Sequence, residues 1–359
     1  MSSPYFALKV VDITPETSDA ITIHFEHPDN LTIPYKPGQF LTLILPVEGK
    51  EIRRSYSLSS KPGEPRLSVT VKRVEGGLMS NYLLNHVKVG DEIKVMEPLG
   101  NFCLTCEPTQ KRNVILFGAG SGVTPLMSIL KTVLAEEPNS TVTLLYGNRD
   151  ENSIIFKDQL LALQQQYSGR LNIAYIFSQP KFSCEHKGRM NQSVIIKILE
   201  SLQLAKVQDA LYFMCGPEGM MEEVKRALQV LHVPAERILR ESFVSNKLVD
   251  AQQSEQHGDV SASDEDEITT QTVTVIYEGA EYSFTVEPDQ TILEAALDQD
   301  IDLPYSCQAG LCTACRGKCL SGKVHLDERE GLSDAELDEG YVLNCVGHPL
   351  TSNVVIEIG

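Results

Sequence analysis

Three cysteines near the end of the chain stand at the spacing C-x4-C-x2-C: Cys307, Cys312 and Cys315. Cys345 follows after 29 intervening residues. Four thiolates so spaced are the plant-type set for a 2Fe–2S cluster. A loop wrapped around such a cluster must bring its backbone N–H groups close to the sulfides. Ala309, Gly310, Thr313 and Ala314 are small enough to allow that approach. Structural zinc usually takes two Cys-x2-Cys knuckles, and this stretch holds only one, so zinc or a redox disulfide is the lesser alternative. Cys319 reads as a buried structural thiol. A thiolate-held metal implies a reducing compartment, and the expectation is cytoplasmic.

Charge partitions the chain. Residues 1–243 carry 26 basic and 26 acidic side chains, residues 244–267 one Lys and seven acids, and residues 268–359 four basic and sixteen acidic. The whole net charge of −18 therefore lies beyond residue 243. A surface that acidic repels phosphate backbones and anionic lipid, so nucleic-acid binding is not expected. No apolar run is long enough for a membrane span, and the opening MSSPYFALKVVDITPE has no signal-peptide pattern. The stretch 244–267 has almost no apolar content and reads as an acidic flexible linker.

Hydrophobic patterning divides the rest. The runs ALKVVDI, AITIHFE, QFLTLILPV and RLSVTVKRV alternate apolar and polar residues between Pro and Gly breaks, which suggests an antiparallel β-barrel. Beyond about residue 110, NVILFGAG, TVTLLYGN, LNIAYIFS and ALYFMCG alternate with helical stretches, the pattern of an α/β parallel sheet. The tail opens on two strands around Glu278-Gly279, followed by a helix near TILEAALDQ. The expected modules are 1–108, 109–243 and 268–359, separated by the linker.

Gly118-Ala119-Gly120-Ser121-Gly122-Val123-Thr124-Pro125 follows one apolar run and opens a helix. Pro125 suits the first helical turn, and amides at a helix start can bind a pyrophosphate. Such a loop alone is weak evidence, and G-x-G-x-G departs from the usual dinucleotide fingerprint. Cys103 and Cys106 form a second C-x2-C pair. Their segment looks extended, which points the sulfurs to opposite faces and favours two ordinary packed thiols.

Arg54-Ser55-Tyr56-Ser57, following a barrel strand, Val71-Lys72-Arg73 and Gly76-Gly77-Leu78-Met79-Ser80 join the glycine loop in a set. With Cys215-Gly216-Pro217 and Glu241-Ser242-Phe243, this set resembles the ferredoxin–NADP reductase superfamily. The resemblance implies a flavin held by Arg54, Tyr56 and Ser57, with Val71 and Lys72 alongside. It implies that Gly77, Leu78, Met79 and Ser80 cover the pyrophosphate, so the flavin is FAD. It implies a nicotinamide nucleotide on Gly118, Gly120, Gly122 and Thr124, with Thr124 and Cys215 positioning its ring. Ser57 and Glu241 would hydrogen-bond near the reacting atoms, and Phe243 would shield the flavin. Ser178 and Arg189 lie where the family places 2′-phosphate contacts, and Arg149 is a further candidate. NADPH is favoured over NADH, although Asp150 and Glu151 could neutralise Arg149.

A β-grasp ferredoxin placed last most resembles the reductases that serve phenylacetyl-CoA epoxidase and related hydroxylases. That order implies an NAD(P)H oxidoreductase with FAD, a 2Fe–2S cluster and an oxygenase or hydroxylase partner that docks on the acidic tail. The other readings are a different acceptor (a desaturase, a haem hydroxylase or a hybrid-cluster protein) or a redox sensor without turnover.

Overall fold

The computed structural model describes residues 5–27, 29, 31–47, 49–201, 209–243, 268–308, 310, 312–329 and 331–358. The expected linker 244–267 and Ala309 lie outside the described residues. Contacts group the described residues into two compact units, one ending at Phe243 and one holding those beyond it.

The first unit opens with β1 (Tyr5–Thr17), β2 (Ala20–Glu26), β3 (Phe40–Val47), β4 (Lys50–Ser57), β5 (Leu67–Lys72), α1 (Leu78–His86) and β6 (Glu92–Met96). Its sheet runs β4-β3-β6-β1-β2-β5, with every pairing antiparallel. The two edge strands meet through a Leu58↔Val69 bridge, which curls the sheet into a barrel. Alternate residues such as Leu8, Val10, Ile23, Phe25, Leu41 and Leu43 fill its core. Arg54, Tyr56 and Ser57 lie within β4 itself rather than after a strand. The alternation there is hidden because the strand carries polar residues on both faces.

The second part comprises β7 (Asn113–Ala119), α2 (Val123–Glu136), β8 (Thr141–Asn148), α3 (Lys157–Gln166), β9 (Leu171–Phe177), β10 (His186–Lys187), α4 (Gln192–Ser201), β11 (Leu211–Cys215), α5 (Glu218–Val230) and β12 (Ile238–Glu241). These strands form one parallel sheet in the order β10-β9-β8-β7-β11-β12. The order reverses between β7 and β11, which places the ligand crevice of such a sheet outside their carboxyl ends. Residues 123–134 of α2 are all buried. The sheet and residues Ala20, Phe102 and Leu104 of the preceding segment belong to the same apolar cluster as this helix. Residues 101–106 take no strand pairing, contrary to the extended reading. Cys106 packs against the core around α2, and burial with a bond to Glu137 pushes its thiol up to about 12.

The second unit holds β13 (Gln271–Tyr277), β14 (Ala280–Val286), α6 (Ile292–Leu297), β15 (Arg316–Ser321), β16 (Val324–Leu326), α7 (Asp334–Asp338), β17 (Tyr341–Leu343), β18 (Gly347–Pro349) and β19 (Val354–Ile358). Glu278 and Gly279 both take positive φ, 52° and 79°, the signature of a tight two-residue hairpin. Thr291 and Glu294 complete a capping box that starts α6. The five-stranded sheet β14-β13-β19-β15-β17 packs α6 against Val273, Val275 and Ile356. Cys319 lies in β15 and is only half-buried, with Sγ 3.2 Å from the Ser321 carbonyl. No helix among the described residues is long and apolar enough to cross a membrane.

Candidate functional site

The ends of β4, β7, β11 and β12 meet. Cys215 pairs with Gly118 on one side and with Glu241 on the other. A Cβ on Gly122 would fall 2.0 Å from the Cys215 carbonyl oxygen, so only glycine lets the two loops touch. Gly120 takes φ +55° and its carbonyl accepts a 3.1 Å bond from the Tyr146 hydroxyl. Thr124, buried in the first turn of α2, donates to the Ser121 carbonyl at 2.9 Å. Its hydroxyl therefore holds the loop in shape.

Ser57 is buried and its hydroxyl completes no hydrogen bond; the same holds for Oε2 of Glu241. Burial pushes the Glu241 carboxyl up to about 8, and the nearby Ser57 hydroxyl offsets part of that. Glu241 keeps some exposed surface, but this oxygen is sealed. Cys215 is fully buried, and burial with the Glu241 charge raises its thiol well above the ordinary range. Orphaned polar atoms in this position suit the polar edge of a flavin ring. Phe243 is 46% exposed and so presents an uncovered ring.

Arg54 bonds only its neighbour's carbonyl among the described residues, Nη1 to the Arg53 oxygen at 2.7 Å, which leaves the rest of its fork for an anion. Arg53, by contrast, is buried and spent on Glu51 and Tyr5. Tyr56 packs against the barrel core, and burial raises its hydroxyl far above the ordinary range while Arg54 opposes this. Gly77 precedes α1 with no side-chain cap, so the first amides of that helix have no side-chain acceptor. A Cβ there would lie 2.9 Å from Ser80 Oγ, which accepts from the Val74 amide. Met79 and Ser80 are buried and Leu78 is exposed. Val71 is buried in the barrel core, so only its backbone can meet a ligand. Lys72 Nζ lies 3.8 Å from Asp19 and 3.7 Å from where a Gly120 Cβ would be, joining the barrel to the glycine loop.

Ser178, Arg149 and Arg189 are all exposed along one rim. Backbone bonds from Ser178 to Asn148, Gln179 to Arg149 and Gly188 to Phe177 hold this rim together. The carboxylates beside Arg149 are engaged elsewhere. Asp150 pairs with Lys181 at 3.2 Å, and Glu151 accepts the amides of Lys181 and Phe182.

In the second unit the four expected cysteines converge. Sγ of Cys315 and Cys345 are 3.2 Å apart. Bonding to Cys307, then burial, pushes Cys312 up; bonding to Cys307 and Cys315, then burial, pushes up Cys345. Thiols so crowded ionise only beside a positive centre, which iron supplies. The Ala314 amide reaches the Cys312 sulfur, as a cluster loop requires. No three His, Cys, Asp or Glu side chains among the described residues are gathered as a single-ion site. A two-iron cluster draws its thiolates in two pairs, so that spread is compatible with it. Sequence reasoning missed Gly331, where a Cβ would fall 2.6 Å from the Gly310 carbonyl. No local pattern announces Gly331. Cys103, read from the sequence as an ordinary packed thiol, has its thiol raised by burial and by the charge of Glu241.

Family models match in three places. They are an oxidoreductase FAD-binding domain over 7–103, an oxidoreductase NAD-binding domain over 116–226 and a 2Fe–2S iron–sulfur cluster binding domain over 275–350. The chain is 37% identical to one of the subunits of the 1,2-phenylacetyl-CoA epoxidase of Escherichia coli, covering 98% of this chain and 97% of that one. It is 35% identical to the 3-ketosteroid-9-alpha-monooxygenase ferredoxin reductase component of Rhodococcus rhodochrous, over 98% and 96%. Phthalate dioxygenase reductase shares the fold, with a TM-score of 0.59, 23% identity and coverage of 99% of this chain and 100% of that one. The chain thus belongs to the ferredoxin–NADP reductase superfamily, as a reductase component that carries electrons from NAD(P)H through FAD and a 2Fe–2S cluster to an oxygenase or hydroxylase.

Proposed function

We propose that this reductase serves a phenylacetyl-CoA epoxidase or a closely related hydroxylase, in the cytoplasm, with NADPH as its preferred reductant. The carrying observation is the 37% identity to the epoxidase component across nearly the whole of both chains. The second relative, at 35%, makes a ketosteroid monooxygenase the competing acceptor. Coenzyme choice rests on Arg149 and Arg189, two exposed guanidinium groups beside Ser178 that suit a dianionic 2′-phosphate. We take the module limits to be 108/109, 243/244 and 267/268.

In this reading Arg54 clamps the flavin pyrophosphate, the α1 amides from Gly77 to Ser80 cover it, and Tyr56 lies against the flavin. When bound, the flavin takes a hydride as an electron pair and the cluster hands electrons on singly. The glycine loop seats the coenzyme pyrophosphate, with Lys72 adding charge at its mouth. Cys215 walls the nicotinamide side, while Ser57 and Glu241 hydrogen-bond the reacting edge. Phe243 covers the flavin until nicotinamide displaces it. Cys307, Cys312, Cys315 and Cys345 hold the cluster, and the acidic ferredoxin domain docks on a basic partner surface.

The test is reconstitution with the purified oxygenase components of the epoxidase and phenylacetyl-CoA. Epoxide should form in step with coenzyme consumption, faster with NADPH than with NADH. Ferricyanide reduction without epoxide would overturn the acceptor, and a higher kcat/KM for NADH would overturn the coenzyme. Raising salt from low to about 0.5 M should slow transfer to the partner, because exposed charges are then screened. A rate indifferent to salt would remove the docking argument.

A further inference from the structure

Cys315 and Cys345, whose sulfurs stand 3.2 Å apart, lie 30 residues apart in the sequence of the second unit. One residue ties them. Asn344, immediately before Cys345, is 1% exposed. Its backbone amide donates to the Cys315 carbonyl at 3.1 Å, and its side-chain Nδ2 donates to the same oxygen at 2.9 Å. Both lone pairs of that carbonyl are therefore committed to one residue. The Asn344 carbonyl in turn accepts the Leu293 amide at 2.9 Å, which anchors the first turn of α6. Gly317 makes the room, since a Cβ there would stand 3.3 Å from Nδ2.

The cost of this arrangement is visible. Oδ1 of Asn344 is buried without a hydrogen-bond partner. A sealed unpaired amide oxygen opposes folding, and an apolar side chain of similar volume would avoid it. A purely structural reason for a carboxamide here is therefore weak. The neighbouring register, Arg316↔Leu343, would hold the strands with any residue at 344, since the backbone bond does not depend on the side chain. What only the carboxamide adds is a second lock on the peptide group of Cys315.

We propose that Asn344 is a positioning residue of the iron–sulfur centre. It fixes the Cys315 peptide against the Cys345 segment, so that this pair of sulfurs keeps its spacing and the Cys315 carbonyl dipole keeps one direction. Without Nδ2 only the backbone amide of residue 344 restrains that carbonyl, so the peptide can tilt about this one bond, which would change both the hold on the metal and the field around it. The inference rests on the reading of the four cysteines as cluster ligands.

The experiment compares the full-length holoprotein with Asn344→Leu and Asn344→Thr, and with Asn353→Leu as a control. Among the described residues Asn353 bonds only Ser321 Oγ through its side chain, at 3.1 Å and at the surface. Two quantities are read: the rate at which a chelator removes iron, and the reduced fraction of the cluster at a fixed solution potential. Asn344→Leu should lose iron at least tenfold faster and shift the reduced-to-oxidised ratio at least threefold. Asn344→Thr, which keeps a hydroxyl donor, should fall between it and the parent, and Asn353→Leu should match the parent. If Asn344→Leu does not fold, the Asn344→Thr values decide alone, and parental values there overturn the proposal. Parental values in Asn344→Leu overturn it as well. A parent protein that binds no iron defeats the ligand reading instead, so the two failures are distinguishable.

Discussion

Glu241 concentrates the chemistry of the flavin side in one carboxyl. Its folded-state value of about 8 exceeds the ordinary carboxyl value, so the folded protein retains a proton that the unfolded chain gives up. The associated stability is complete below the ordinary carboxyl range and is lost as pH rises toward and through about 8. In denaturant titrations from pH 5 to 9, Glu241→Gln should therefore lose less stability with rising pH than the parent; parallel curves would contradict this. Gly122 is a second single-residue test. Alanine there must displace the Cys215 backbone, with an expected cost of about 1–3 kcal/mol. The same change should raise the KM for NAD(P)H at least severalfold, and unchanged melting with unchanged KM would refute the contact.

The site was only partly legible at this scale. The cysteine spacing and the glycine loop are local patterns, fixed by what a short loop must do. The meeting of Ser57, Cys215 and Glu241 is not local, because three strands from distant parts of the sequence deliver it. Their motif resemblance pointed to them, yet no periodicity could have shown that two of their oxygens are left without partners.

Among elements, the join between the barrel and the parallel sheet depends on a buried ion pair at the end of α2. Glu137 is fully buried. Burial would raise its carboxyl, yet bonds from Arg112 and Ser140 hold it below the ordinary range. Arg112 also donates to the Thr105 carbonyl, so it braces the segment that leads into β7. Arg170 supports the same corner by donating to the carbonyls of Leu134, Glu137 and Ser140. Glu137→Ala leaves Arg112 part-buried without its partner and should destabilise the protein by about 3 kcal/mol. Calorimetry would show a lower melting temperature, and a shift no larger than that of a surface substitution would rule the brace out. Elements with one buried face, such as β1, β2 and β13, were readable because alternation survives in them. β4 was not, because polar Arg53 and Ser57 are buried on the face away from the barrel core, while Arg54 stands on the core-side face between Ile52 and Tyr56.

At the scale of the whole molecule, charge and chemistry divide along the same line. The reductase portion carries balanced charge, and the excess acid lies beyond residue 243 together with the cluster cysteines. Cys345→Ser should therefore abolish reduction of a protein acceptor and leave ferricyanide reduction through the flavin largely intact. Equal loss of both activities would mean that the portions do not act in sequence. The excess acid speaks against nucleic acid as a partner class, but it could not say which oxygenase lies downstream, because the reductase motifs describe only the donor side.

The contact at Gly122 also bears on how such a protein can change its coenzyme. With no space for a Cβ between the loops after β7 and β11, the proposed seat of the pyrophosphate and the proposed wall beside the nicotinamide are in direct backbone contact. Neither can drift without dragging the other, so selection on coenzyme identity has little purchase there. At the rim of Arg149, Ser178 and Arg189 the backbone is bonded but the side chains are exposed, so they are under no such steric lock. If that rim contacts the coenzyme as proposed, evolution or an engineer can rewrite the choice of reductant there while the Gly122 contact is inherited unaltered.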